Sequence, residues 1–147
     1  MIMVREIVAA TAAVAQLGVA DLIGRERPQH ITRPRHRAMF LARRLRPDLS
    51  YPGIGLIIGG RDHTTVLHGE RRVEARLAQG DNQERDALCA TLIRLGLGDD
   101  LDAVLLAARE GRLALTRAAL ERRHVELQSE LARVERQLAA LPLDTAQ

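Results

Sequence analysis

The chain has 147 residues, room for one domain of about 100 residues and an appendage but short for two enzyme-sized domains. All 22 basic residues are Arg, Trp is absent, and Phe40 and Tyr51 are the two aromatic side chains, too few for the base-stacking surfaces of RNA-recognition modules and single-strand grooves. Ala, Leu, Arg and Glu dominate where a β-sandwich or barrel would need β-branched and aromatic alternation, so the composition indicates a soluble, mostly helical protein.

The formal charge of +3 hides a split. Residues 1–80 carry 13 Arg against 7 acids, and residues 81–147 carry 9 Arg against 12 acids. The densest stretch, residues 25–46, holds eight Arg and the single acid Glu26. A basic first part with a mildly acidic second part predicts a polyanion-binding head and a tail with a separate role. Cys89 is the one cysteine, so no intramolecular disulfide forms and a reducing compartment is expected. The apolar run from Ile7 to Ala15 does not read as a secretion signal: Glu6 offsets Arg5, Thr11 interrupts the run and Gln16 follows it. No stretch of 18 apolar residues predicts a membrane span, and the expected location is the cytoplasm, associated with the nucleoid.

In chain order, Ile7, Val14 and Leu17 at helical spacing predict a helix over 3–17 with Gly18 as its stop. A short helix over 19–23 ends at Gly24, and residues 25–32 predict a basic loop. Pro34 suits the first turn of the next helix, which carries Ala38, Leu41, Ala42 and Leu45 on one side, Arg43 and Arg44 outside, and stops at Pro47. A short element over 52–57 leads through Ile58-Gly59-Gly60, a tight turn, into a helix over 62–78. There Val66, Gly69, Val73 and Leu77 form one buried stripe, while Thr64, His68 and Arg72 share a different face and each can bond a phosphate or a base. Two helices joined by a Gly-containing turn, the second opening on polar residues, form a helix-turn-helix pattern. A helix over 84–95 with Leu88, Leu92 and Leu95 inward closes the head, and Gly96 and Gly98 mark a boundary.

The string Gly59-Gly60-Arg61-Asp62-His63-Thr64-Thr65-Val66-Leu67-His68, with Val19-Ala20-Asp21-Leu22, Arg33-Pro34-Arg35, Pro52 and Ile54-Gly55 in order, resembles the C-terminal DNA-binding domain of the bacterial replication initiator DnaA family. The similarity covers roughly residues 2–96. It implies that the helix opening near Asp62 enters the major groove of a DnaA box in double-stranded DNA. On the matching positions Asp62, His63, Thr64 and Thr65 read bases, and Arg27 enters the adjacent minor groove. Arg35, His36, Tyr51, Pro52, His68 and Arg72 fall on phosphate-contacting positions. The chemistry agrees: Asp62 can accept from cytosine N4 and favours the positive end of the helix, Thr64 can set its methyl on a thymine methyl, and Arg27 suits a narrow A/T minor groove. Phosphate contacts fix register without carrying sequence information. Departures from the family are an Ala-rich first helix, Gly53 and Leu56 where acids are common, and Arg37 where an apolar residue is common. DnaA proteins also carry an ATPase module, and no G-x-x-x-x-G-K-[ST] loop can occur in a chain without Lys, so this chain is not expected to be an enzyme or a self-sufficient initiator.

Neutral readings stand beside these. Asp62 can act solely as a helix cap, and the arginines of residues 25–46 can form a solvated face. His63 and His68, at i and i+5, do not share a face, so no metal and no cofactor are expected. Cys89 reads as a small buried hydrophobe, and no catalytic constellation stands out.

The tail predicts a short helix over 101–109 and a longer one over 112–141 ended by Pro142. Leu113, Leu120, Leu127, Val134 and Leu141 recur every seven residues, with Leu131 and Leu138 at complementary positions, as in a coiled-coil seam. Arg117 and His124 occupy earlier complementary positions, and a parallel pair would oppose Glu130 to Glu135. The competing arrangement packs this helix against Leu101, Val104, Leu105 and Ala108 as an antiparallel hairpin. The expectation is therefore an all-α protein: a helix-turn-helix head over 1–96 and, over 99–147, a coiled-coil or hairpin tail serving a homodimer or a protein partner. The expected function is sequence-specific DNA binding that regulates transcription or replication initiation, or else an adaptor whose tail recruits a replication or polymerase component.

Overall fold

A computed structural model describes residues 1–142; the last five residues of the expected tail, 143–147, lie outside the described residues. Seven helices occur among them and no strand: α1 (Val4–Val14), α2 (Val19–Ile23), α3 (Gln29–Leu45), α4 (Tyr51–Ile57), α5 (His63–Ala78), α6 (Asn82–Arg94) and α7 (Leu101–Ala139).

Helix α1 buries Ile7, Val8, Thr11 and Ala12 and stops three residues before the expected Leu17. Gln16, at φ 57°, takes the left-handed position expected of Gly18. Its N–H reaches Ala13 O at 3.1 Å and the Leu17 N–H reaches Ala12 O at 2.9 Å, a closed C-terminal motif. Gly18 is extended and instead opens α2, its N–H donating to Asp21 Oδ2 at 2.8 Å.

Helix α3 corrects two expectations. It begins at Gln29, not at Pro34, so the basic loop is shorter than 25–32. Buried Ile31 anchors the first turn, and Pro34 lies inside the helix, itself buried among α3's neighbours. Tertiary packing thus overrides the usual interior cost of proline. α3 packs on α1, α2, α4 and α5 and buries Ala38, Met39, Phe40, Leu41 and Ala42 in succession. Arg43 and Arg44, expected outside, are half-buried: Arg43 lies over the Tyr51 ring at 4.5 Å and Arg44 over the Phe40 ring at 4.7 Å. Arg44 also pairs with Glu70 and Glu74 of α5.

Ser50 caps α4 by accepting from the Gly53 N–H at 3.2 Å. Gly55 then allows the chain to fold back, because a Cβ there would lie 2.0 Å from Arg61 O, and the Arg61 N–H closes the turn on Gly55 O at 2.8 Å. Gly59 has φ 79°, and its Cβ would fall 2.2 Å from Ile23 O, so both conformation and space demand glycine. On α5 the predicted stripe of Val66, Gly69 and Val73 is buried, with Leu77 partly so. Glu70 joins that stripe.

Asp81 caps α6 through the Glu84 N–H at 3.0 Å, and Leu88 and Leu92 point into the core. Glu84 is fully buried and bonds Arg37 at 3.1 Å and Arg76 at 3.5 Å. That pairing explains how Arg37 replaces an apolar residue on α3, although its Nε has no partner.

The expected break near Gly111 is absent: α7 is one helix from Leu101 to Ala139. An interior glycine weakens a helix by about 1 kcal/mol relative to Ala but does not end it without a terminating geometry. Consequently the hairpin alternative for the tail is not adopted. The chain divides into two compact units, Met1–Arg112 and Leu113–Gln147. The first includes the opening turns of α7, where Leu101 is buried, Val104 and Leu105 pack on the core, and Asp102 pairs with Arg85 at 3.1 Å. In the second, Arg117 pairs with Glu121 at 2.9 Å and Arg123 with Glu126 at 3.1 Å, and the heptad leucines are exposed.

Candidate DNA-binding surface

The N-terminus of α5 is polar and exposed from Asp62 to Thr65. Asp62 is its cap: Oδ1 accepts from the Thr65 N–H at 2.8 Å, the Thr64 hydroxyl at 2.7 Å and the Thr65 hydroxyl at 3.0 Å. The Thr64 hydroxyl, then the two Thr65 donors, hold this carboxyl down to about 2, so it is ionised at any ordinary pH. Its Oδ2 takes none of those bonds. His63, Thr64 and Thr65 are exposed beside it. Because Oδ1 fixes both threonine hydroxyls, the first turn presents a set arrangement of polar groups rather than free rotors.

One turn further, Arg72 Nε donates to His68 Nε2 at 3.3 Å, and both residues are exposed. His68 meets His36 of α3 edge to face, ring centres 6.0 Å apart. His36 Nδ1 lies 3.2 Å from Arg76 Nη2. Burial, then the nearby cations Arg76, His68, Arg72 and Arg35, push the His36 pKa down to about 4, so the ring is neutral near pH 7. With Nδ1 accepting from Arg76, the proton sits on Nε2. Arg76 in turn bonds buried Glu84, linking the face of α5 to α6.

The Arg25–Pro28 loop borders this surface, with Arg27 exposed. It is shaped from beneath by Arg35, which is 5% exposed. Arg35 Nε donates to Leu22 O at 2.7 Å, Nη1 to Glu26 O at 3.0 Å, and Nη2 to Asp21 O at 3.1 Å and Gly24 O at 3.0 Å. Four of its five N–H donors are thus spent on backbone carbonyls. Arg61, from the α4–α5 turn, donates to Ile58 O at 2.7 Å and also to Gly24 O. Two guanidinium groups therefore converge on one carbonyl, tying the loop to the turn; burial and Arg61 together lower the Arg35 pKa. Neither latch was legible as such, although Arg61 lies inside the ten-residue signature.

Arg27, Arg35, His36, Thr65 and His68 border one open concavity of about 650 Å³, with Arg61 at its edge. Asp62, His63, Thr64 and Arg72 belong to the adjoining exposed face of α5. Tyr51 and Pro52 stand at the start of α4: Pro52 is exposed, but the Tyr51 hydroxyl donates to Glu70 Oε2 at 2.6 Å. Glu70 was missed by the sequence reading, yet its spacing of four from Val66 and three from Val73 places it on the buried stripe. Among the described residues no group of three or more His, Cys, Asp or Glu is arranged to hold a metal ion, and no helix is long and apolar enough to cross a membrane.

An arginine-bearing loop beside an exposed, capped helix that follows a tight glycine turn has the form of a helix-turn-helix. Residues 4–73 match the family model described as the bacterial DnaA protein helix-turn-helix. The chain is similar to the chromosomal replication initiator protein DnaA of Cereibacter sphaeroides, 49% identical over 70 residues, which is 48% of this chain and 15% of the relative. It is 43% identical over 86 residues to that of Paraburkholderia xenovorans, covering 58% of this chain and 14% of the relative. The match to the DnaA of Herminiimonas arsenicoxydans is 53% over 57 residues, 39% of this chain and 12% of the relative. The chain thus spans only about one seventh of the length of these relatives.

Proposed function

We propose that the chain recognises a DnaA-box-like site in double-stranded DNA and regulates transcription or replication initiation from it, in the cytoplasm at the nucleoid. The observation that carries this reading is the start of α5: His63, Thr64 and Thr65 exposed on a first turn held by Asp62, flanked by Arg27 and Arg72. His63 and Asp62 Oδ2 read base edges, Thr64 offers its methyl because its hydroxyl is engaged, and Arg27 enters the minor groove. His68, Arg72 and Pro52 lie along the phosphates, with neutral His36 donating from Nε2. Arg35 and Tyr51 act from behind, holding the Arg27 loop and Glu70, since their polar groups are already engaged.

Fluorescence anisotropy with a DnaA-box duplex and a scrambled duplex, at two salt concentrations, tests the reading. A clear preference for the box that survives added salt is expected; equal affinity for the two would sink specific readout. His63→Ala is expected to cost about 1–3 kcal/mol on the box and little on the scrambled duplex. A second role, as an interaction element for another copy or a protein partner, is supported for α7 by the exposed leucines of its second half.

A further inference from the structure

Leu113, Leu120, Leu127, Leu131, Val134 and Leu138 are 44–66% exposed, a long apolar stripe on one helix. An exposed stripe of that length, with charged residues beside it, marks an association surface. In heptad terms Leu113, Leu120, Leu127 and Val134 hold d, and Arg117, His124, Leu131 and Leu138 hold a.

Parallel pairing fails on three counts. It stacks Arg117 on Arg117, His124 on His124, and sets Glu130 against Glu135. A single antiparallel register removes all three. With His124 of one copy facing Leu127 of the other, Leu120 meets Leu131, Leu113 meets Leu138, and Arg117 meets Val134, every layer appearing twice by the two-fold symmetry. Each Arg now lies over an aliphatic partner, with its own Glu121 2.9 Å from its guanidinium. At the flanks Arg123 faces Glu130 of the other copy, twice, and Glu121 faces Gln128; no like charges are opposed.

We infer that α7 pairs with a second copy of itself as an antiparallel two-helix coiled coil in this register. The inference deepens the interaction reading of the tail and does not depend on the DNA reading. The two chains enter the pair at opposite ends of a segment about 38 Å long, 25 residues at 1.5 Å each.

Sedimentation equilibrium of the full chain should give twice 16.2 kDa at tens of micromolar. Register is read by cross-linking in a Cys89→Ala background, mixing Leu113→Cys and Leu138→Cys chains under mild oxidation. The expected product is the mixed disulfide, since Leu113 and its counterpart lie about 38 Å apart in this register. Arg123→Glu should raise the dimer Kd roughly tenfold or more, and the double variant with Glu130→Arg should restore it. A monomer at ~100 µM, or disulfides of Leu113→Cys with itself, would overturn the inference. Duplex binding by such a monomer would leave the DNA reading standing.

Discussion

Helices α3 and α7 are written in the same alphabet of Arg, Leu and Ala, yet they do opposite things. α3 buries nine of its 17 residues, including a proline and two arginines; α7 buries one of 39, Leu101. What separates them is the partner each face meets. Around α3 every cation has a stated acceptor: Arg35 the α2 carbonyls, Arg37 the Glu84 carboxylate, Arg44 Glu70 and Glu74. Along the second half of α7 the described ion pairs are exposed and contribute little to stability, leaving the leucine seam as its main resource. Arginine count alone therefore predicts neither DNA contact nor solvation.

The largest way to break the contrast is to unpair α3. Glu84→Ala would strand Arg37 and loosen Arg76, and removing one partner of a buried pair costs about 3–5 kcal/mol. Urea unfolding followed by Tyr51 fluorescence, which reports only on the first unit because the chain has no Trp and no other Tyr, would measure it. A loss below 1 kcal/mol would show that the network is incidental.

His36 gives the same comparison a pH axis. Its folded pKa of about 4 lies below the ordinary value of 6.5, so the unfolded chain binds its proton more tightly. The stability it permits is complete above about pH 6.5 and is lost as pH falls towards 4. A His36→Gln variant should show a flatter profile across that window than the parent, while Asp62, held to about 2, titrates below it. A phosphate placed against the ring would raise its pKa, so box binding should take up protons between those limits. Identical profiles for parent and variant would remove His36 from the account.

The sequence made the element order, the glycine turn, the α5 stripe and the exposed His63-Thr64-Thr65 legible, because each rests on local spacing. It misplaced whatever depends on tertiary contact. Pro34 looked like a helix start because the rule for proline is local, whereas Ile31 and the surrounding core extend α3 backwards past it. Gln16, not Gly18, takes the left-handed position, and the Leu17 N–H closes the helix end on Ala12 O. Only the fold brings the carbonyls of Asp21, Leu22, Gly24 and Glu26 around Arg35, a structural role that no local spacing shows.

The smallest effect is the sharpest test of the contrast, since one substitution can be made in both helices. Leu41 is 0% exposed and Leu120 is 66% exposed. Leu41→Ala removes a fully buried core side chain and leaves a cavity, a cost of about 2–5 kcal/mol. Leu120→Ala removes the same atoms from a surface already wet, so the Tyr51 transition at low protein concentration should move by no more than about 0.5 kcal/mol. The same variant should weaken self-association, where Leu120 would face Leu131 of the second copy. Leu120 would then carry its cost entirely in assembly and Leu41 entirely in folding. A Leu120→Ala chain whose Tyr51 transition fell as far as that of Leu41→Ala would show that the second half of α7 contributes to the folded core, and the distinction between the two helices would not hold.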